Sequence, residues 1–142
     1  MPTAALAGCG LFDREPDPSP TPDPLAELIT GALELAAQHE AAIAAHPELT
    51  SRLEPLARAH RQHAAELARI SGTPTPSATP AATPTAAQPA GGDIQALLAS
   101  LREAEQAGQR AAVEACRAAP AHHAALLGSI AAARATHVEV LA

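Results

Sequence analysis

The chain has no tryptophan and no tyrosine, and its single phenylalanine, Phe12, lies near the N-terminus. Lysine is absent too, so all nine basic residues are arginines. A core without aromatics must be built from Leu, Ile, Val and Ala. That suits closely packed helices and argues against a sheet, which favours β-branched and aromatic side chains. After Cys9 no uninterrupted run of about 18 apolar residues occurs, so a transmembrane helix is not expected. The formal net charge is −6 and no basic stripe appears, which excludes a protein that neutralises nucleic-acid phosphates. There is no Ser/His/Asp nucleophile motif, no P-loop and no dinucleotide fingerprint, so hydrolase, nucleotide and dehydrogenase chemistries have no footing, and an enzyme is not expected.

What is present begins with Leu6-Ala7-Gly8-Cys9. Small and apolar residues leading into a cysteine read as a bacterial lipobox, with Cys9 as the lipidated residue. Residues 1–8 are then the end of a signal peptide. They carry no basic n-region and no apolar run of the roughly 7–15 residues such a signal needs, so the natural start is expected further upstream. Residues 9–23 hold Pro16, Pro18, Pro20, Pro22 and the following Pro24. Proline lacks a donor and fixes φ, so this stretch reads as an extended tether. A lipid followed by a stalk predicts a domain held on the extracytoplasmic face of the cell membrane. With Cys9 acylated through sulfur, Cys116 has no disulfide partner and reads as a buried small apolar residue.

Four helical segments follow, in two pairs. Residues 24–71 form the first hairpin. Asp23 and Pro24 suit a helix start, and Leu25, Leu28, Ile29, Leu33, Ala36 and Ile43 make its stripe until His46-Pro47 ends it. The second helix runs to about Ile70. Leu49, Leu53, Leu56, His60, His63, Leu67 and Ile70 alternate steps of four and three, and Pro55 is expected to kink it or to split off its first turn. Residues 72–92 are a Thr/Pro/Ala linker, read as disordered or PPII-like. Residues 93–142 form the second hairpin: Asp93 caps the third helix, and the fourth carries His123, Leu127, Ile130, Arg134, His137 and Leu141. A linker this long can cross a whole bundle, a length an up-and-down bundle does not need.

Polar residues interrupt these stripes in an ordered way. His60 and His63 stand three apart on one face of the second helix, as do Arg134 and His137 on the fourth, and Glu105 lies near the centre of the third. Glu105 and Arg134 are nearly equidistant from Pro120, so the sequence predicts that they face each other as a buried ion pair. Buried polar groups are costly unless paired. The first expectation is therefore a structural polar layer of Glu105, Arg134, His60, His63 and His137. The second is one zinc, copper or iron ion held by His60, His63, Glu105 and His137, a donor set that suits borderline metals. Haem between His60 and His137 has no supporting motif. His39, His46, His122 and His123 lie toward helix ends and are expected to be structural, and Glu34 is expected to face water.

This arrangement resembles the ferritin-like superfamily, and more closely the ferritin-like domains of actinobacterial lipoproteins. The resemblance covers about Leu25 to Ala142 and implies an all-α, ferritin-like four-helix bundle of two antiparallel hairpins joined by a long Pro-rich crossover. In the di-metal members, helices one and three each supply a Glu, and helices two and four each supply Glu-x-x-His. Here His60-Arg61-Gln62-His63 puts His where that motif has Glu, Arg134-Ala135-Thr136-His137 puts Arg there, and Glu105 alone is retained. The resemblance therefore implies a degenerate metal motif without di-iron oxidase chemistry. The expected function is a non-catalytic envelope module that meets another envelope component. The alternative is a metal-binding domain.

Overall fold

The computed structural model describes residues 24–72 and 93–142. Within them lie four helices: α1 (Pro24–Ala45), α2 (Thr50–Ser71), α3 (Ile94–Ala118) and α4 (Ala121–Val140). No strand occurs among the described residues, so the all-α expectation holds. The Asp23 cap, the lipobox, the tether and the linker fall outside the described residues.

The punctuation follows the local chemistry. The Asp93 carboxylate accepts from the Gln95 N–H at 2.9 Å and so satisfies one orphan donor at the start of α3. Gly72 ends α2 with φ 68°, a left-handed conformation that glycine adopts without strain. At His46-Pro47 the chain makes a separate 3-10 turn over Pro47–Leu49 before α2 begins. Pro55 therefore does not split the helix: α2 runs through it from Thr50.

Two apolar clusters fill the bundle. One gathers Leu28, Ile29 and Ala32 of α1, Ala64 and Leu67 of α2, Ala112 of α3, and Leu127 and Ile130 of α4. The other gathers Ala42, Leu49, Leu53, Leu56, Leu98, Leu101 and Leu141. The first half of α1 thus packs beside the second half of α3, and the first half of α2 beside the first half of α3. Hence α1 runs antiparallel to α2 and to α3, while α2 and α3 run the same way on the diagonal, their backbones apart and their side chains meeting in the core. The end of α2 and the start of α3 lie at opposite ends of the bundle. Arg52 near the start of α2 donates to the carbonyls of Val140 (2.7 Å) and Ala142 (3.0 Å), fastening the end of α4. Between the two apolar clusters lies a polar layer.

Candidate metal centre

Each helix sends one ligand-type side chain into that layer: His39 from α1, His60 from α2, Glu105 from α3 and His137 from α4. His39, His60 and Glu105 are wholly buried, and His137 is 8% exposed. They reach one level because side chains in a helix lean toward its N-terminus. His39 is closer to the α1–α2 turn than His60 is. In antiparallel neighbours the lean carries His39 away from the turn and His60 toward it.

Three imidazole nitrogens converge on one carboxylate oxygen. Glu105 Oε1 lies 2.5 Å from His60 Nε2, 3.2 Å from His137 Nδ1 and 3.6 Å from His39 Nε2. The nearest donor atoms of His39, His60 and Glu105 all fall within 4.8 Å of one another. In a tetrahedral site with metal–ligand bonds of about 2.0–2.1 Å, donor atoms stand roughly 3.3 Å apart. The Glu105 separations to His137 and His39 are near that spacing, although His137 lies outside the group whose donor atoms all come within 4.8 Å. The His60 contact is a hydrogen bond that an ion would open.

The tautomer of His39 follows from its other nitrogen. Nδ1 lies 2.8 Å from the Leu35 carbonyl, which only accepts, so Nδ1 carries the proton. Neutral His39 then turns the lone pair of Nε2 toward Glu105 Oε1. Burial pushes the His39 pKa down, against the opposing pull of the Leu35 carbonyl and of Glu105, so the ring stays neutral. Burial likewise depresses His60, although its hydrogen bond to Glu105 works the other way. Glu105 itself is pushed up by burial, but hydrogen bonds from His137 and His60 prevail and hold it at about 2. The site therefore sets a carboxylate beside the neutral imidazoles of His39 and His60. Two acceptors, His39 Nε2 and Glu105 Oε1, face each other in the buried interior.

Further atoms of the layer lack partners. His39 Nε2, His60 Nδ1, His63 Nδ1 and Glu105 Oε2 are buried without a hydrogen bond. Folded proteins satisfy nearly all such groups, and exceptions need an explanation. Orienting a ligating imidazole through a backbone carbonyl on its other nitrogen, as Leu35 does for His39, is the usual supporting arrangement around a bound metal. The donor set thus fits a borderline divalent ion.

Comparison with known protein families, curated proteins and solved structures finds no match.

Of the residues predicted from the sequence, the structure brings together His60, Glu105 and His137. His63 is only half-buried and stands at the edge, its ring centroid 5.9 Å from that of His60 and 6.4 Å from that of His137. Burial, with the positive neighbourhood of Arg134, lowers its pKa to about 4. The predicted ion pair is different in form. Glu105 takes its partners from His39, His60 and His137, and Arg134 is not among them. Arg134 is buried on the same face of α4 as His137, one turn away. Its head passes over Gly108 of α3 rather than onto Glu105, and it acts on Glu105 only through space. The His60 and His137 rings are 4.9 Å apart, too close to hold a porphyrin between them. Glu34 is exposed, as expected.

His39 is the residue that the sequence reading assigned to structure. The signal was there: Leu28, Ala32, Leu35, His39 and Ala42 are all buried and alternate steps of four and three. The stripe expected through Leu33 and Ile43 missed that seam, and both of those residues are only half-buried.

Proposed function

We propose that this chain is a lipid-anchored, extracytoplasmic four-helix bundle of ferritin-like topology that binds one divalent transition-metal ion through His39, His60, Glu105 and His137. The observation that carries the reading is the buried, face-to-face approach of two acceptors, His39 Nε2 and Glu105 Oε1, at 3.6 Å. A cation between them converts a repulsion into two bonds. Three imidazoles and one carboxylate favour zinc, copper or iron over magnesium or calcium, which prefer all-oxygen shells. With one carboxylate in the layer, the charge balance of a di-iron oxidase is missing, and no catalytic step is assigned. The ferritin-like topology is supported by parallel α2 and α3 on the diagonal, whose joined ends lie at opposite poles. The anchor is supported by Leu6-Ala7-Gly8-Cys9 and the prolines behind it.

Metal analysis of the full chain after exposure to Zn²⁺, Cu²⁺ and Fe²⁺ tests the site. One ion per chain is expected, with affinity lowered about tenfold to a hundredfold or more by His39→Ala and by His60→Ala, and unchanged by His122→Ala. An absence of bound metal, with His39→Ala leaving the bundle folded, sinks the reading. Incorporation of labelled fatty acid in a bacterial host, lost on Cys9→Ser, tests the anchor.

A second reading has its own support. The buried guanidinium of Arg134 beside the layer disfavours a cation there. In that case the layer is a structural network within a non-catalytic module that binds another envelope component.

A further inference from the structure

Arg134 is 1% exposed, yet its Nε has no hydrogen-bond partner, and none of the ion pairs among the described residues includes it. Glu105 acts on it only through space, and a buried guanidinium without a direct partner is costly to hold in a fold. The path of its side chain is specific. A Cβ on Gly108 would stand 1.8 Å from Arg134 Nη1, so the guanidinium lies across α3 through a gap that only glycine leaves. It thereby reaches the floor of a groove of about 420 Å³ between the first half of α1 and the second half of α3. Leu28, Gly31, Ala111 and Ala115 supply apolar walls. Glu27 and Glu114 also border the groove, and Glu114 is tied to Arg117 at 2.8 Å.

We propose that this groove binds a monocarboxylate with an apolar tail, its carboxylate on the Arg134 guanidinium and its tail along the α1–α3 walls. A guanidinium fork matches a carboxylate in shape and charge, and a charge-assisted bond would satisfy the buried Nε. The volume falls within the usual range of small-ligand sites, about 300–1,000 Å³. Glu27 and Glu114 repel dianions such as phosphate more strongly than a single carboxylate. The small residues at Gly31, Gly108 and Ala111 keep the walls open. This site is separate from the proposed metal and does not depend on it.

Calorimetric titration of the full chain in chelator tests the proposal, with octanoate as the probe and acetate, octanol and inorganic phosphate as comparisons. One octanoate per chain is expected, with each comparison ligand binding at least about tenfold more weakly. Arg134→Gln is expected to lower octanoate affinity by about tenfold or more. Gly31→Leu fills the groove from a position where a Cβ meets nothing within 4 Å, and it leaves Arg134 in place. It is expected to abolish octanoate binding in a bundle that stays folded by circular dichroism, so the test stands even where Arg134→Gln does not fold. The proposal is overturned by acetate, octanol or phosphate binding as well as octanoate, by octanoate binding undiminished in Gly31→Leu, or by no octanoate binding at millimolar concentration.

Discussion

Two glycines inside helices show how far a single position depends on its surroundings. Gly31 and Gly108 each weaken their helix by about 1 kcal/mol relative to alanine. A Cβ on Gly31 meets open space, whereas one on Gly108 meets Arg134 Nη1 at 1.8 Å and Leu35 Cδ1 at 3.3 Å. Gly31→Ala is therefore expected to stabilise the bundle by up to about 1 kcal/mol. Gly108→Ala must displace a buried guanidinium, and the overpacking outweighs the helical gain for a net loss of about 1–2 kcal/mol. Urea denaturation of the two variants checks the opposite signs; equal shifts would contradict the placement of Arg134. At the same scale, each of His60, Glu105, Arg134 and His137 was legible from its place in a heptad-like stripe. The course of Arg134 was not, because a stripe says which way a side chain faces and not which neighbour it meets.

Within each helix, the boundaries were the most readable feature. α1 spans Pro24–Ala45 as its pattern predicts, and α3 begins after Asp93. The Asp93 cap is local chemistry, a carboxylate on a free N–H two residues on. Asp93→Ala is expected to cost about 0.5–2 kcal/mol, read as a lower thermal midpoint, with Asp93→Asn close to the native value. A native midpoint in the alanine variant would show that α3 draws nothing from this cap. The error at this scale was one of register. The sequence stripe of the second helix starts at Leu49, but Pro47–Leu49 form their own 3-10 turn and α2 starts only at Thr50. That shift of less than one helical turn, added to the lean of the side chains, brings His39 into the layer, while Glu34 faces water as expected.

For the molecule as a whole, a layer of buried neutral histidines and a carboxylate makes stability depend on pH. His39 and His60 are depressed by burial, and His63 falls from 6.5 to about 4. Between those values the unfolded chain binds more protons than the folded one, so stability rises with pH across the window. Glu105 acts in the same direction lower down: its carboxylate contribution is present above 4.5 and is lost as pH falls toward about 2. In chelator, the urea midpoint is expected to decline from pH 7 to pH 4 and to decline further toward pH 2. A midpoint that is flat or rises toward acid contradicts neutral burial of these rings. The dependence should persist or steepen toward acid in saturating Zn²⁺, because the metal keeps the folded ligands deprotonated while the unfolded histidines still take up protons.

Composition and periodicity alone determined that this chain is helical, where α1 and α3 begin, and that His60, Glu105, Arg134 and His137 face inward. These are local properties, set by propensity, caps and the 3.6-residue repeat. Only the tertiary structure decided that α1 joins the layer through His39, that three imidazoles share one oxygen of Glu105, and that Arg134 turns away over Gly108 into a groove. Those outcomes depend on axial offsets of a few ångströms between helices and on which way long side chains lean, and neither is written in any one helix.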